Sequence, residues 1–157
     1  MAMSRIFTHT TATYKFYWFI GILDRYIRKK RTRINAWDIM IEMVANAWYP
    51  ACYFHLSFGK SESLYNAITV IQKKRDIPIS ISPKELSEWL HANINNEFIV
   101  STLRSLLYNV PYRFLSPWIR TDDNDEMVLR SQKFENDCLY KIEKAEGNKM
   151  WIELNTA

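Results

Sequence analysis

The sequence contains little glycine, proline or cysteine: its 157 residues include only 3 Gly, 5 Pro and 2 Cys. So few chain-breaking residues, beside a hydrophobic fraction of 48%, exclude a disordered or low-complexity protein. The two cysteines, Cys52 and Cys138, lie far apart and Cys52 is in an apolar stretch, which favours two reduced core thiols over a disulfide. Because no signal peptide precedes them, we expect a cytoplasmic protein.

Long apolar runs are also missing. The longest run, residues 16–23, is less than half of the roughly 20 residues that a membrane-spanning helix needs. Charged residues flank it on both sides, Lys15 before it and Asp24 after it. We therefore expect no membrane partner.

Motifs for catalysis and for cofactors are absent as well. His9, His55 and His91 have no Cys or His at metal-ligand spacing, and no glycine-rich loop could hold a phosphate. The acidic cluster Asp122–Glu126 lacks the glycine at the sharp turn of a calcium loop, so we interpret it as a solvated loop. We expect no metal, no cofactor and no catalytic residue, and we expect His55 to be a hydrogen-bonded core histidine.

The residues that are present predict one mainly α-helical domain over residues 1–157 with a small C-terminal β-hairpin. Residues 1–10 are expected to be flexible and residues 121–137 to form a loop. The predicted helices begin near Thr10, Trp37, Ser61, Ser82 and Ile99. The hairpin pairs residues 138–143 with 149–154 across a turn at Gly147. Gly21, in the first helix, would let another backbone approach closely.

The clearest helix follows Asn35, which can cap it, and Pro50 is expected to stop it after Tyr49. Its apolar face, at the spacing of a helix that buries one side, consists of Trp37, Met40, Ile41, Val44, Ala45 and Trp48. The residues on the opposite side, which we expect outside the core, are Asp38, Glu42 and Asn46.

Two of the predicted helices are separated by a short break at residues 93–96 and are followed by the hairpin, which is the order of a winged helix-turn-helix. In that arrangement the residues of the second helix that face DNA would be Asn95, Asn96, Ser101, Thr102 and Arg104. The alternative is an ordinary pair of packed helices. We favour this alternative because the turn has no glycine and a long loop precedes the hairpin.

The charge of the chain is unevenly distributed. A net charge of +4 and a pI near 9.0 permit contact with nucleic acid but are common in proteins without it. The excess is concentrated in one basic run, which consists of Arg25, Arg28, Lys29, Lys30, Arg31 and Arg33. Clustered cations displace counterions from a phosphate backbone, but cations also complement the dipole at the C-terminal end of a helix. The absence of aromatic residues from Arg28 to Arg33 favours the second interpretation.

Three aromatic-rich blocks carry a family resemblance: TATYKFYWFIGILD at 11–24, DIMIEMVANAWYPACYFHLSFGK at 38–60 and VPYRFLSPW at 110–118. In this order they resemble the N-terminal region of bacterial HNH-endonuclease-domain proteins of Bacteroides-like genomes. The resemblance implies an accessory domain that recognises DNA or positions the nuclease module, which follows this region in that family. The histidines, asparagine and zinc-binding cysteines of that module are missing here, so no catalytic residue carries over.

The predicted nucleic-acid-binding residues are the basic run and two further arginines: Arg25, Arg28, Lys29, Lys30, Arg31, Arg33, Arg104 and Arg113. Arg113 lies between two prolines, and its guanidinium suits a phosphate or an internal carboxylate. Asp38 and Glu42 are the expected internal partners.

Double-stranded DNA is the predicted partner, and the alternative is a protein-interaction or dimerisation module. A basic surface that joins the run to Arg104 would favour DNA, whereas an exposed aromatic patch would favour a protein partner. The aromatic residues of the three blocks that we expect in the core are Tyr14, Trp18, Trp48, Tyr49, Phe114 and Trp118.

Overall fold

The computed structural model describes residues 13–55, 63–145 and 149–157. Its helices are α1 (Thr13–Lys29), α2 (Ala36–Phe54), α3 (Ser63–Arg75), α4 (Pro83–Ala92), α5 (Glu97–Leu107), α6 (Val110–Phe114) and α7 (Asn124–Ser131). Its strands are β1 (Arg33–Asn35), β2 (Tyr140–Ala145) and β3 (Lys149–Leu154), with a short 3-10 helix at Glu135–Asp137. The predicted mainly α-helical fold with a small C-terminal sheet is confirmed. Within these ranges no helix is both long and apolar enough to cross a membrane.

Helix α2 is the centre of the fold, since it contacts α1, α3, α4, α5 and two strands of the sheet. Asn35 caps it as predicted, accepting the N–H of Trp37 at 2.9 Å. The predicted stop at Pro50 is wrong, because the helix runs on to Phe54. Beyond the proline, burial of Ala51 and Cys52 offsets the hydrogen bond that a proline cannot donate.

Gly21 sets the distance between α1 and α2. A Cβ atom added at this position would lie 2.7 Å from the carbonyl oxygen of Ile39 on α2. The predicted close approach of two backbones is confirmed. Trp18 and Ile22, on the same helix, are buried beside it, so the glycine lets α1 lie tightly along the central helix.

The sheet is antiparallel, with strand order β1-β3-β2. The predicted hairpin is confirmed, but its predicted register is wrong by two residues. Tyr140, rather than residue 138, lies opposite Leu154, and Ala145, rather than Glu143, lies opposite Lys149. Strand β1 was not predicted, because three residues at the end of a basic run have no clear alternation. It pairs with β3, and the three isoleucines that form a buried row across the strands are Ile34, Ile152 and Ile142.

The predicted loop at 121–137 is wrong, since it contains α7 and the 3-10 helix. Asp123 caps α7 by accepting the N–H of Asp125 at 2.9 Å, and Met127 anchors the helix in the core. A short acidic helix with one large buried side chain has too weak an amphipathic pattern to predict. Residues 1–10, predicted to be flexible, lie outside the described residues.

Helices α4 and α5 both pack on α2, and α5 also packs on α3. Helix α4 starts after Ser82, as predicted, and Ser82 and Glu85 form a capping box there. Asn96, predicted to face DNA, caps α5 by accepting the N–H of Ile99 at 3.1 Å. Thr102, also predicted to face DNA, donates its hydroxyl to the carbonyl of Phe98 at 2.7 Å. These side chains therefore stabilise α5 itself, as in an ordinary helix pair.

Most of the aromatic residues expected in the core are buried there, namely Trp18, Trp48, Phe114 and Trp118. Tyr14 is only partly buried. The prediction for Tyr49 is wrong, since 46% of it is exposed. His55 is also exposed, in the left-handed conformation that ends α2, and is not a core residue. Because α2 continues past Pro50, it carries its last residues beyond the core.

Candidate nucleic-acid interface

The basic run meets a row of polar residues on α2. Asp38, Glu42 and Asn46 are four residues apart and so lie along one face of the helix. The carboxylate of Asp38 lies 3.2 Å from a guanidinium nitrogen of Arg25, and that of Glu42 lies 3.5 Å from Arg28. The prediction that this face lies outside the core is wrong for Glu42, which is 2% exposed. It is covered because α1 and α4 pack on either side.

Glu42 joins three helices. Besides Arg28 of α1, it accepts a hydrogen bond from the hydroxyl of Ser87 on α4 at 2.8 Å. Asp38 makes a similar connection, with Nδ1 of His91 on α4 lying 3.8 Å from its carboxylate. The acids of α2 therefore hold α1 and α4 in place, and part of the basic run neutralises them.

A cavity of about 400 Å³, here called the basic groove, opens where α1 ends and the sheet begins. The side chains that matter for its charge and shape are Arg25, Arg28, Lys29, Arg31, Arg33 and Trp151. Asp38 also lines it. The structure thus brings most of the predicted basic run around one concave surface.

The end of α1 and the chain that follows it present three exposed cations, Lys29, Lys30 and Arg31. Among the described residues, none of the three has a carboxylate partner. Lys30 has a φ of 54°, and its N–H bonds to the carbonyl of Tyr26 at 2.8 Å. This left-handed residue ends the helix and turns the chain into β1, so that the cations project beside the groove.

One wall of the groove is an aromatic ring that carries a cation. The guanidinium carbon of Arg33 lies 4.4 Å from the ring centre of Trp151, and its Nε donates to Glu143 at 2.9 Å. Trp151 was not predicted as a site residue. The sequence pattern that could have indicated it is the alternation of β3, in which Trp151 lies between the buried Met150 and Ile152. Because successive side chains of a strand point to opposite faces, Trp151 must point away from the core.

Arg104 does not line the basic groove. It lines a second cavity of about 350 Å³, here called the hairpin pocket, whose main side chains are Trp37, Arg104, Tyr108, Tyr112, Lys144 and Lys149. Met150 also lines the hairpin pocket, whereas Trp151 lines the groove. Among the described residues, the groove and the pocket share no lining residue. The basic groove therefore does not reach Arg104, as a basic surface that joined the run to Arg104 would require.

Arg113 has an internal role. Its guanidinium donates to the carbonyl oxygens of Thr121 and Asp122 at 3.3 and 3.1 Å. A nitrogen also lies 3.5 Å from the Asp122 carboxylate. The prediction that Asp38 or Glu42 is its partner is wrong, because these carboxylates pair with Arg25 and Arg28 of α1. Arg113 instead holds the segment between α6 and α7 in place.

No protein-family model, curated protein or solved structure matches this chain. In the described ranges no group of three or more His, Cys, Asp or Glu side chains could hold a metal ion.

Lys15 and Ser116 form a pair that sequence reasoning missed. Lys15 Nζ donates to Ser116 Oγ at 3.1 Å although 101 residues separate them, so no local pattern could have revealed it. Burial lowers the pKa of Lys15, and the nearby Arg113 guanidinium lowers it further. The contact ties α1 to the segment after α6.

Both cysteines are free and buried, as predicted. Burial raises the pKa of Cys52, and it raises that of Cys138 to about 11. A thiol with a raised pKa is rarely ionised and therefore reacts slowly. Neither cysteine has the surroundings of a nucleophile.

The end of α2 exposes three aromatic side chains, here called the aromatic cluster: Tyr49, Tyr53 and Phe54. Their exposed fractions are 46%, 58% and 59%. The rings of Tyr49 and Tyr53 stack with centres 5.1 Å apart, and the edge of Phe54 lies against Tyr53 at 4.9 Å. The cluster is thus an ordered apolar patch in contact with solvent.

Proposed function

We propose that this chain is a non-catalytic accessory domain that binds the backbone of double-stranded DNA at the basic groove. The observation that carries this proposal is the set of exposed cations at residues 29–31, which have no carboxylate partner among the described residues. Two of them, Lys29 and Arg31, line the basic groove. Cations in this state gain free energy when they displace counterions from phosphates.

The dipole of α1 accounts for only part of the basic run. Arg28 and Lys29 lie in the last turn of α1, where cations complement the helix dipole. The effect falls off within that turn, and Lys30 and Arg31, which have no carboxylate partner among the described residues, come after it. Their position therefore favours an external anion as the partner of the groove.

The resemblance to the region that precedes the nuclease module of HNH-endonuclease proteins supports the same role. A domain that grips the DNA backbone raises the effective concentration of DNA at a linked nuclease. Contacts to phosphates fix register and orientation without reading bases. We therefore propose positioning, rather than catalysis, as its contribution.

The test is fluorescence anisotropy of a labelled duplex, titrated between about 50 and 200 mM salt. The variant is Lys29→Ala/Lys30→Ala/Arg31→Ala, because replacing Arg28 would also leave the buried Glu42 without its cation. We expect the logarithm of the wild-type affinity to fall linearly with the logarithm of the salt concentration. The variant should have a slope shallower by about 0.9 for each phosphate that it no longer neutralises.

The matched control is Lys73→Ala/Lys84→Ala/Lys133→Ala, which removes the same charge from exposed positions elsewhere. It should keep the wild-type slope. The proposal is rejected if the wild type does not bind at low salt. It is also rejected if both variants lose affinity equally, since net charge alone would then explain binding.

A second candidate function, a homodimerisation module, is favoured by the aromatic cluster. Exposed aromatic patches are typical of protein interfaces. Light scattering across concentrations, for the wild type and for Tyr53→Ser/Phe54→Ser, tests it. A wild-type dimer that dissociates in the variant would support this function, whereas a wild type that stays monomeric at high concentration would exclude it.

A further inference from the structure

The hairpin pocket combines an apolar floor with aromatic walls. Leu107, Tyr112 and Met150 are 5%, 3% and 7% exposed and form its buried side. Trp37 is partly buried and Tyr108 is 59% exposed, so their rings stand nearer the opening. A volume of about 350 Å³ is at the lower end of the range of small-molecule sites.

Arg104 lies in this pocket without an anion. The other partly buried arginines of the described chain pair with carboxylates: Arg25, Arg113 and Arg130. Arg104 is also partly buried, yet no described carboxylate lies within ion-pair distance of it. Removing a charge from water without a partner costs free energy, so this guanidinium is placed to receive an anion from outside.

Two lysines extend the positive charge of the pocket. Lys149 is exposed at the start of β3 and lines the cavity. Lys144 Nζ lies 5.3 Å from the ring centre of Tyr112 and 3.8 Å from the exposed carboxylate of Asp125. None of the described residues that line the pocket is acidic.

We infer that the hairpin pocket binds a single nucleotide. The nucleobase would contact the rings of both Trp37 and Tyr108, since bases bind readily to aromatic faces. Its phosphate would be held by Arg104, whose planar fork matches phosphate oxygens, and by Lys149. The apolar floor disfavours inorganic phosphate alone, and the cations disfavour a neutral ring alone.

This inference does not depend on duplex binding, because the pocket and the basic groove share no lining residue among those described. Two kinds of ligand carry a nucleobase together with a phosphate: a free mononucleotide and the phosphorylated end of a nucleic-acid strand. A short oligonucleotide carrying a terminal phosphate separates them. An oligonucleotide that displaces bound mononucleotide identifies a strand end, and one that does not displace it identifies a free nucleotide.

The test is isothermal titration calorimetry with adenosine monophosphate, adenosine and inorganic phosphate. We expect one site for adenosine monophosphate, with each of the two fragments binding at least about tenfold more weakly. Arg104→Leu should weaken the nucleotide by about tenfold, because it removes the charged hydrogen bonds. Tyr108→Ala should weaken it by roughly the same factor through the absence of stacking.

Nuclear magnetic resonance locates the bound nucleotide. The indole N–H signal of Trp37 should shift on titration. The signal of Trp48 should not, because Trp48 is fully buried and donates to the carbonyl of Pro78. A Trp37 signal that stays unchanged at saturation would overturn the inference even if calorimetry detects binding.

The control variant is Arg120→Leu, which removes an exposed arginine outside the pocket and should keep wild-type affinity. If Arg104→Leu does not fold, Lys149→Glu supplies an equivalent test at an exposed strand end. Wild type that does not bind the nucleotide at millimolar concentration overturns the inference. So does equal affinity in the wild type and in a folded Arg104→Leu or Lys149→Glu variant.

Discussion

The basic groove and the hairpin pocket have similar volumes, about 400 and 350 Å³, and cations line both. They differ in what neutralises those cations. In the groove, three arginines have carboxylate partners, namely Arg25, Arg28 and Arg33. In the pocket, Arg104 and Lys149 have none among the described residues. Part of the charge of the groove therefore stabilises the fold, whereas the charge of Arg104 and Lys149 in the pocket is available to a ligand.

The largest expected effect comes from removing the acid that α1 and α4 share. Glu42→Ala takes the acceptor from Ser87 and the partner from Arg28, and it leaves a space in a buried site. We expect the free energy of unfolding to fall by about 2–4 kcal/mol, measured by urea denaturation. A loss of this size would establish that the groove is partly structural.

The matched control for this change is Glu143→Ala. Glu143 pairs with Arg33 on the surface, where the two side chains are 30% and 53% exposed. Exposed ion pairs contribute less than about 1 kcal/mol. If Glu42→Ala and Glu143→Ala cost the same, burial does not distinguish the two pairs and the comparison fails.

A smaller loss is expected from Gly21→Ala. This substitution perturbs α1, a helix that lines the groove but not the hairpin pocket. The added Cβ would lie 2.7 Å from the Ile39 carbonyl oxygen, so α1 must shift away from α2. We expect a loss of about 1–3 kcal/mol, with amide shift changes around the groove but not around the hairpin pocket, which α1 does not line. Ser105→Ala, at an exposed helical position, is the control and should be slightly stabilising.

The third prediction compares one arginine from each cavity. Arg25→Met breaks the pair with Asp38 and should lower the free energy of unfolding by about 1–2 kcal/mol. The loss is limited because the substitution also removes the Arg25 Nε, which is buried without a hydrogen-bond partner. Arg104→Leu should change the free energy of unfolding by less than about 0.5 kcal/mol. Thermal and urea unfolding of both variants measure this. A large loss in Arg104→Leu would mean that the fold, not a ligand, uses this guanidinium.

Local signals in the sequence predicted the parts of the fold that local chemistry decides. The helix start at Ser82, the Asn35 cap, the close approach at Gly21 and the presence of the hairpin needed only neighbouring residues. The continuation of α2 past Pro50 did not follow from such signals, because it depends on burial of the last turn by other elements. Strand β1 likewise depends on a partner strand that is more than a hundred residues away.

The same distinction holds for the candidate site. The cations of the groove are contiguous in the chain, so a basic cluster was predictable. Their neutralisation by α2 was not, since periodicity places Glu42 on a polar face but does not say that α1 and α4 cover that face. Contacts between residues far apart in the sequence could not be predicted from local patterns. Arg33 and Glu143, which are 110 residues apart, are an example.

The smallest expected effect is a gain in stability from a substitution at Lys30, directly after α1. Lys30 has a φ of 54°, a conformation that glycine adopts without strain and other residues do not. Lys30→Gly should therefore raise the free energy of unfolding by about 0.5 kcal/mol, while Lys29→Gly, inside the last turn of α1, should lower it by a similar amount. Both variants remove one cation, so they should reduce the salt dependence of DNA binding equally. If they differ in binding but not in stability, the loop geometry, rather than its charge, determines how the groove contacts DNA.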